Sequence, residues 1–334
     1  MIRIFKTIRL FFLRLFSLHN IITILERVNW LQNFHCYFTD ITKAAPPRGI
    51  TLLHQQAGAK LLEIFDQICK KYKLNYWLGS GNLLGFVRHN GNPVPWDDDM
   101  DIYMLRPDYE KAVALLPKLF EGTDFILFFT GWFLKIFKYK NATIGFDIFP
   151  MDQYFKKIET EHDLNIFKKN VIKTKGFSKK EYLETLGYTV KNYHKEIWNG
   201  NINKNSEKLF ELRNTAKSNW DCTVMEGNKP ANDGNLLIGY ERAKWPNNQF
   251  SWNYHWIFPL QRMNYLNVET YIPNNPDLYL FTQFGDYWAL PEKFTVHSHL
   301  NSKLPLEALY SLQELININA SEFVNSLNPI SQHE

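Results

Sequence analysis

Between Gly79 and Tyr109 the chain reads GSGNLLGFVRHNGNPVPWDDDMDIYMLRPDY, and its chemically capable residues are concentrated there. Asp97, Asp98, Asp99 and Asp101 place four carboxylates in five positions. Side chains on a strand alternate faces, so Asp97, Asp99 and Asp101 are expected on one side and Asp98 with Met100 on the other. Carboxylates this close raise one another's pKa. A hard divalent cation, Mg²⁺ or Mn²⁺, relieves that repulsion, and Mg²⁺ is commonly held by one or two carboxylates plus substrate phosphates. A calcium loop of the EF-hand type does not fit. With Asp97 as its first position, Ile102 stands where glycine is required and Asp108 where glutamate is required. The apolar flanks Trp96, Ile102 and Met104 put the cluster at the edge of a core rather than on a solvated turn.

A second element precedes the acids. Gly79-Ser80-Gly81 follows the apolar run Tyr76-Trp77-Leu78. Glycine there lets backbone N–H groups approach an anion, and the helical turn that follows aims its N-terminus at it. Arg88 is suited to a bidentate phosphate contact, and His89 to an acid, base or phosphate contact. Trp96 is suited either to stacking on a nucleoside or to a core role. Asp147 is a lone acid in the apolar run Gly145-Phe146-Asp147-Ile148-Phe149. A carboxylate in such a strand needs a partner, either a cation or a basic side chain. Asp99 and Asp101, on one strand face, are the candidate metal ligands. A Gly-Ser turn ahead of an Asp-x-Asp strand resembles the nucleotidyltransferase fold of polymerase-β type, and that resemblance implies Asp147 as a third ligand, with Asp97 and Asp98 as the candidates for taking the hydroxyl proton of an acceptor.

The elements that must position these groups are legible in outline. Leu61, Ile64, Phe65, Ile68 and Tyr72 make a helical stripe. Tyr76–Leu78 and Asp99–Leu105 read as strands, with a helical turn over Asn82–Arg88 between them. Arg106-Pro107-Asp108 opens a helix running to about Phe120, and Ile126–Phe129 and Ile144–Phe149 read as further strands. Residues 305–325 read as a terminal helix. From Lys156 to Lys195 ten lysines face five acids, which reads as a solvated helical insertion extending over 156–235. Residues 245–300 are aromatic, and Trp245, Trp252, Tyr254 and Trp256 suit either a core or a sugar-stacking platform. The expected fold is mixed α/β (α+β), a sheet flanked by helices with helical and aromatic C-terminal additions.

The 334 residues carry 38 basic and 34 acidic side chains, a net charge of +4, too mild to indicate a nucleic-acid partner. Three scattered cysteines and no CxxC pair argue against a zinc ribbon or a disulfide scaffold. Residues 1–20 hold Arg3, Lys6, Arg9 and Arg14, no acid, and apolar residues at helical spacing. This predicts a basic amphipathic helix for peripheral contact with a membrane surface. The uncharged run Leu15–Leu25 is 11 residues, against ~20 needed to span a bilayer. Pro46-Pro47-Arg48-Gly49 punctuates the boundary, giving an N-terminal segment 1–48 and a catalytic domain 49–334.

Leu83-Leu84-Gly85, Arg88-His89, Pro95-Trp96-Asp97-Asp98-Asp99-x-Asp101 and Asp108-Tyr109 together resemble the signature of the LicD family, which includes fukutin and fukutin-related protein. Asp147-Ile148-Phe149-Pro150-Met151-Asp152 is similar to a second family motif, and Phe284-Gly285-Asp286-Tyr287-Trp288 to a third. Two positions depart from the pattern: Asn82 stands where threonine is usual, and Val268 where phenylalanine is usual. The resemblance implies a nucleotidyltransferase-like fold. It further implies metal-dependent transfer of a phospho-alcohol, of phosphocholine or ribitol-phosphate type, from a CDP-alcohol donor to a hydroxyl of a glycan or glycolipid. Gly79, Ser80, Gly81, Arg88, His89 and Trp96 would contact the donor. The enzyme would be membrane-associated, at the cytoplasmic face of a bacterial inner membrane or in a eukaryotic Golgi lumen. An Asp-x-Asp glycosyltransferase using a nucleotide sugar and a non-catalytic glycan-binding relative are the competing readings.

Overall fold

A computed structural model describes residues 24–28, 40–129, 133–154, 160, 162, 163, 166, 234–239, 250–290 and 304–328. The expected amphipathic segment 1–20, most of the insertion over 156–235, and Trp245 lie outside the described residues. The chain forms two compact units, 45–285 with 297–334, and 1–44 with 286–296. In the smaller unit Asp40 caps a short 3-10 helix, Ile41–Lys43, by accepting from the Thr42 N–H at 3.1 Å.

The larger unit opens with α1, Gly49–Tyr72, which extends a full three turns upstream of the apolar stripe seen in the sequence. β1 is Trp77–Leu78, α2 is Ser80–Arg88, β2 is Asp99–Leu105, and α3 is Arg106–Leu119. β3 (Phe125–Phe129), β4 (Leu134–Tyr139) and β5 (Ala142–Tyr154) follow. Then come β6 (Asn235–Ile238), β7 (Trp252–Asn253), α4 (Tyr254–Ile257), and a hairpin of β8 (Gln261–Tyr265) with β9 (Val268–Ile272). The last helices are α5 (Pro276–Phe284), α6 (Leu306–Ile316) and α7 (Ala320–Ser326). The single terminal helix expected over 305–325 is therefore two, because the Asn319 side chain caps a new start by accepting from the Glu322 N–H.

The main sheet runs β1-β2-β5-β4-β3, with β6 on β5 and β7 on β6. It is mixed: β2 and β5 are parallel, and the other pairs are antiparallel. Alternation along β2 and β5 divides the sheet's two faces. Met100, Ile102, Phe146 and Ile148 turn to the side that α1 covers, where the Phe65 and Phe146 rings meet edge-on at 5.3 Å. Asp99, Asp101 and Asp147 share the opposite side with Tyr103 and Phe149, whose rings stack at 5.2 Å. α6 and α7 pack on α1. This is the expected mixed sheet flanked by helices.

Two polar clamps hold the frame. Arg106, at the junction of β2 and α3, grips Asp152 of β5 through Nε at 2.6 Å and Nη2 at 2.9 Å. Asp66 of α1, buried, accepts from both Nη atoms of Arg262 on β8 at 2.6 Å and from the Tyr76 hydroxyl at 2.8 Å. Trp252 is fully buried and stacks on Tyr279 at 4.9 Å, so it is core and not a sugar platform.

Candidate metal and phosphate centre

The acids sit where the turn before β2 meets the sheet. Asp97 and Asp98 precede the strand, which begins at Asp99. The expected alternation from Asp97 onward is thus corrected. The Asp97 N–H donates to Val94 O at 2.9 Å, and the Asp97 carbonyl accepts from Gln55 Nε2 at 2.7 Å. These bonds hold a turn in place of the ladder. As a result Asp98 is not turned away: carboxylate oxygens of Asp97, Asp98 and Asp99 all lie within 4.8 Å of one another.

From Asp99 onward the strand reading holds. In the parallel pair Asp99 lies opposite Gly145 and Asp101 opposite Asp147. Directly opposed residues point to the same side, so Asp99, Asp101 and Asp147 share a face. Gly145 is needed there, because a Cβ on it would stand 2.7 Å from the Asp99 Cβ. Asp147 has a basic partner: Lys135 of β4 lies opposite it, with Nζ 2.7 Å from its Oδ1. Sequence reasoning missed Lys135, since β4 carries no clear period. It also missed His54 and Gln55 of α1, which line a small pocket with Asp98, Asp99, Gly145 and Tyr265. Burial pushes the His54 pKa down, partly offset by the charge of Asp98.

The strongest electrostatic signal is at Asp97. Burial comes first, then the charges of Asp99 and Asp101, a hydrogen bond shared with Asp99, and the charge of Asp98; together they push its carboxyl well above the usual range. Its Oδ2 is buried and accepts no hydrogen bond from the described residues. That oxygen lies against the first turn of α2, where a Cβ on Gly81 would stand 2.6 Å from it. The Gly-Ser turn and the acids are therefore one site. Ser80 opens α2 with a φ of 45°, a left-handed conformation that costs a non-glycine residue about 1–3 kcal/mol. It is held by a 2.7 Å hydrogen bond between Ser80 Oγ and the Tyr103 hydroxyl, and by Gln283 Nε2 donating to that Oγ at 3.2 Å. Successive N–H groups at such a turn form a concavity suited to an anion.

Asn82 ties the two halves together. β1 ends after two residues, yet the β2 edge remains paired. Gly79 N donates to Asp101 O at 3.1 Å, Asn82 Nδ2 donates to Asp99 O at 2.9 Å, and Asn82 Oδ1 accepts from the Asp101 N–H. The side-chain amide thus acts as one more peptide group of the missing strand. Asn82→Ala is expected to cost about 1–3 kcal/mol by leaving these buried strand groups unpaired. A thermal melt checks it; an unchanged midpoint would contradict the role.

Arg88 and His89 stand apart from the Gly-Ser turn. They lie at the far end of α2, roughly 12 Å along the axis from its first turn at 1.5 Å per residue. Arg88 is buried, and its Nε donates to His89 Nε2 at 3.4 Å. Burial, then the Arg88 charge, pushes the His89 pKa down to about 4, so the ring is neutral at neutral pH. Trp96 is half-buried on the turn just before the cluster.

Residues 73–195 match the LicD/FKTN/FKRP nucleotidyltransferase domain. Over 101 residues the chain is 37% identical to the lipopolysaccharide cholinephosphotransferase LicD of Haemophilus influenzae, covering 27% of this chain and 37% of that protein. It is 31% identical over 129 residues to an uncharacterized protein of Rickettsia prowazekii, covering 34% of this chain and 48% of that one. The chain thus spans less than half the length of the curated relatives it matches.

Proposed function

We propose that this chain, whose residues 73–195 match the LicD/FKTN/FKRP nucleotidyltransferase domain, is a phosphotransferase that moves a phospho-alcohol from a CDP-activated donor to a hydroxyl of a glycan or lipopolysaccharide. The observation that carries the reading is the contact between the acid cluster and the first turn of α2, with Asp97 Oδ2 against Gly81. A donor diphosphate needs both features: N–H groups to take its oxygens and a cation to neutralise its charge. The LicD relative of Haemophilus influenzae, named as a cholinephosphotransferase acting on lipopolysaccharide, supports phosphocholine as the group and a surface glycan as the acceptor.

The donor set suits a hard divalent cation, because several close carboxylates, one with an unpartnered buried oxygen, cannot all ionise without one. Asp97, Asp98 and Asp99 would hold it, with Asp101 on the same strand face as Asp99. When bound, it would supply charge neutralisation for the diphosphate and the departing CMP. Ser80 and Gly81 present backbone N–H groups to the phosphates. The acceptor oxygen attacks the phosphorus that bears the alcohol, the bond from that phosphorus to the CMP oxygen breaks, and CMP leaves. The hydroxyl proton goes to a cluster carboxylate, Asp97 or Asp98. Gln55 and Asn82 fix the turn and the strand that present these groups.

The test is a donor screen of CDP-choline and CDP-ribitol against UDP- and GDP-sugars, with and without EDTA. CMP release from a CDP-alcohol, lost with EDTA, is expected. Turnover of a nucleotide sugar instead would replace this reading with a glycosyltransferase.

The site of action proposed is a membrane surface. Among the described residues no helix is long and apolar enough to cross a membrane, while Ile24, Leu25 and Val28 are each more than half exposed. Residues 1–20 would add up to roughly 1 kcal/mol per basic side chain on anionic lipid. Sedimentation with anionic liposomes is expected to weaken when Arg3, Lys6, Arg9 and Arg14 become Gln, and when salt is raised. Binding indifferent to both would contradict an electrostatic contact.

A further inference from the structure

The acid cluster contains a cation of its own. Asp101 lies opposite Asp147, and Asp147 opposite Lys135, so the three residues form one row across β2, β5 and β4. The Lys135 ammonium is 2.7 Å from Asp147 Oδ1, with 16% and 10% of the two side chains exposed. Burial works against the charge on Lys135, but Asp147, and beyond it Asp99 and Asp101, outweigh burial and hold its pKa up. The cluster therefore has a compensated end at Asp147. Its other end, at Asp97, has a buried oxygen with neither a hydrogen bond nor an ion pair among the described residues.

We propose that Lys135 permanently fills the place of a second metal ion. The centre then takes a single divalent cation at its Asp97–Asp98–Asp99 end, and Asp147 serves as counter-ion to the lysine. This rests on the metal-binding reading above. A dication that also used Asp147 Oδ1 would come within about 5 Å of the ammonium, given metal–oxygen bonds of about 2.1 Å, and the two positive charges would repel. The sheet register fixes this arrangement: Lys135 and Asp147 are cross-strand partners, so neither can swing to the other face without breaking strand pairing.

The experiment is a Mn²⁺ titration of the purified chain, with free Mn²⁺ counted by electron paramagnetic resonance. The wild-type protein is expected to bind one Mn²⁺. Lys135→Met, which keeps the aliphatic stem and removes the charge, is expected to bind a second ion, or the first at least tenfold more tightly. The double variant Lys135→Met with Asp147→Asn is expected to return to one ion. Two ions on the wild-type chain would overturn the inference and leave the metal reading intact, whereas no ion at all would overturn both. A Lys135→Met protein that binds Mn²⁺ in the same number and no more tightly would also overturn it. Should Lys135→Met fail to fold, Asp147→Asn alone decides. Retention of one ion supports a counter-ion role for Asp147, and loss of the ion defeats it.

Discussion

Replacing Asp99 or Asp101 with Asn is expected to lower turnover of the CDP donor by roughly 10²–10³-fold, the range seen when one preorganised electrostatic contact to a transition state is removed. Both residues lie on the sheet face that carries Asp147, and Asp99 also belongs to the group of three carboxylates within 4.8 Å. Asn keeps the shape and one acceptor oxygen but not the charge, so the backbone bonds that Asn82 makes to this strand survive. The fold should survive with them, because each change relieves repulsion among neighbouring acids. A thermal melt paired with the CMP-release assay separates the two effects. Turnover within a few-fold of the wild type at saturating Mg²⁺ would remove either residue from the centre.

Asp66→Ala is expected to be the most destabilising of the single changes considered, at about 3–5 kcal/mol, because it removes the buried carboxylate that a guanidinium and a phenol share and leaves them the exposed Glu269 at 3.3 Å and the Thr270 hydroxyl at 3.2 Å. Arg262 keeps a quarter of its side chain exposed, so the lower end of that range applies. With roughly 2–4 °C in Tm for each kcal/mol in chains of this order, the melt should fall by about 6–12 °C. The same clamp sets an acid limit. Burial alone would raise the Asp66 pKa, but its bonds to Arg262, Tyr76 and Lys70 outweigh burial and hold it below the ordinary aspartate value. A carboxyl whose pKa is lower in the folded state stabilises above its unfolded pKa, and that stabilisation is lost as pH falls through the folded value. The wild-type protein should therefore lose stability below about pH 4 more steeply than Asp66→Asn. Parallel acid titrations of the two would contradict the assignment.

The strands and helices with a clear period were legible. β2 begins at Asp99, as the alternation predicts, and α3 begins at Arg106, where proline and an acid mark a helix start. β4 was not legible. Its residues Leu134–Tyr139 carry lysine at 135 and 138, a spacing that fits no strand alternation, yet the sheet pairs them on both sides and sets Lys135 beside Asp147. The turn holding Asp97 and Asp98 was mistaken for strand because its bonds come from Gln55, 42 residues away in sequence. Asn82 looked like a departure from the family pattern around the donor turn. Its amide, however, pairs the backbone of the acid strand, a contact that sequence spacing cannot reveal. Arg88 and His89 follow the donor turn closely in sequence, but a helix of nine residues carries them away from it.

In the proposed mechanism the acid cluster and the α2 turn form one site for a cation and a diphosphate. Phosphorus NMR of CDP-choline in the presence of the protein and substoichiometric Mn²⁺ tests it directly, since a bound paramagnetic ion broadens only phosphates close to it. Broadening of both diphosphate resonances is expected with the wild-type chain, and its loss with Asp99→Asn. Broadening that persists unchanged in Asp99→Asn, or that never exceeds what free Mn²⁺ produces, would contradict it.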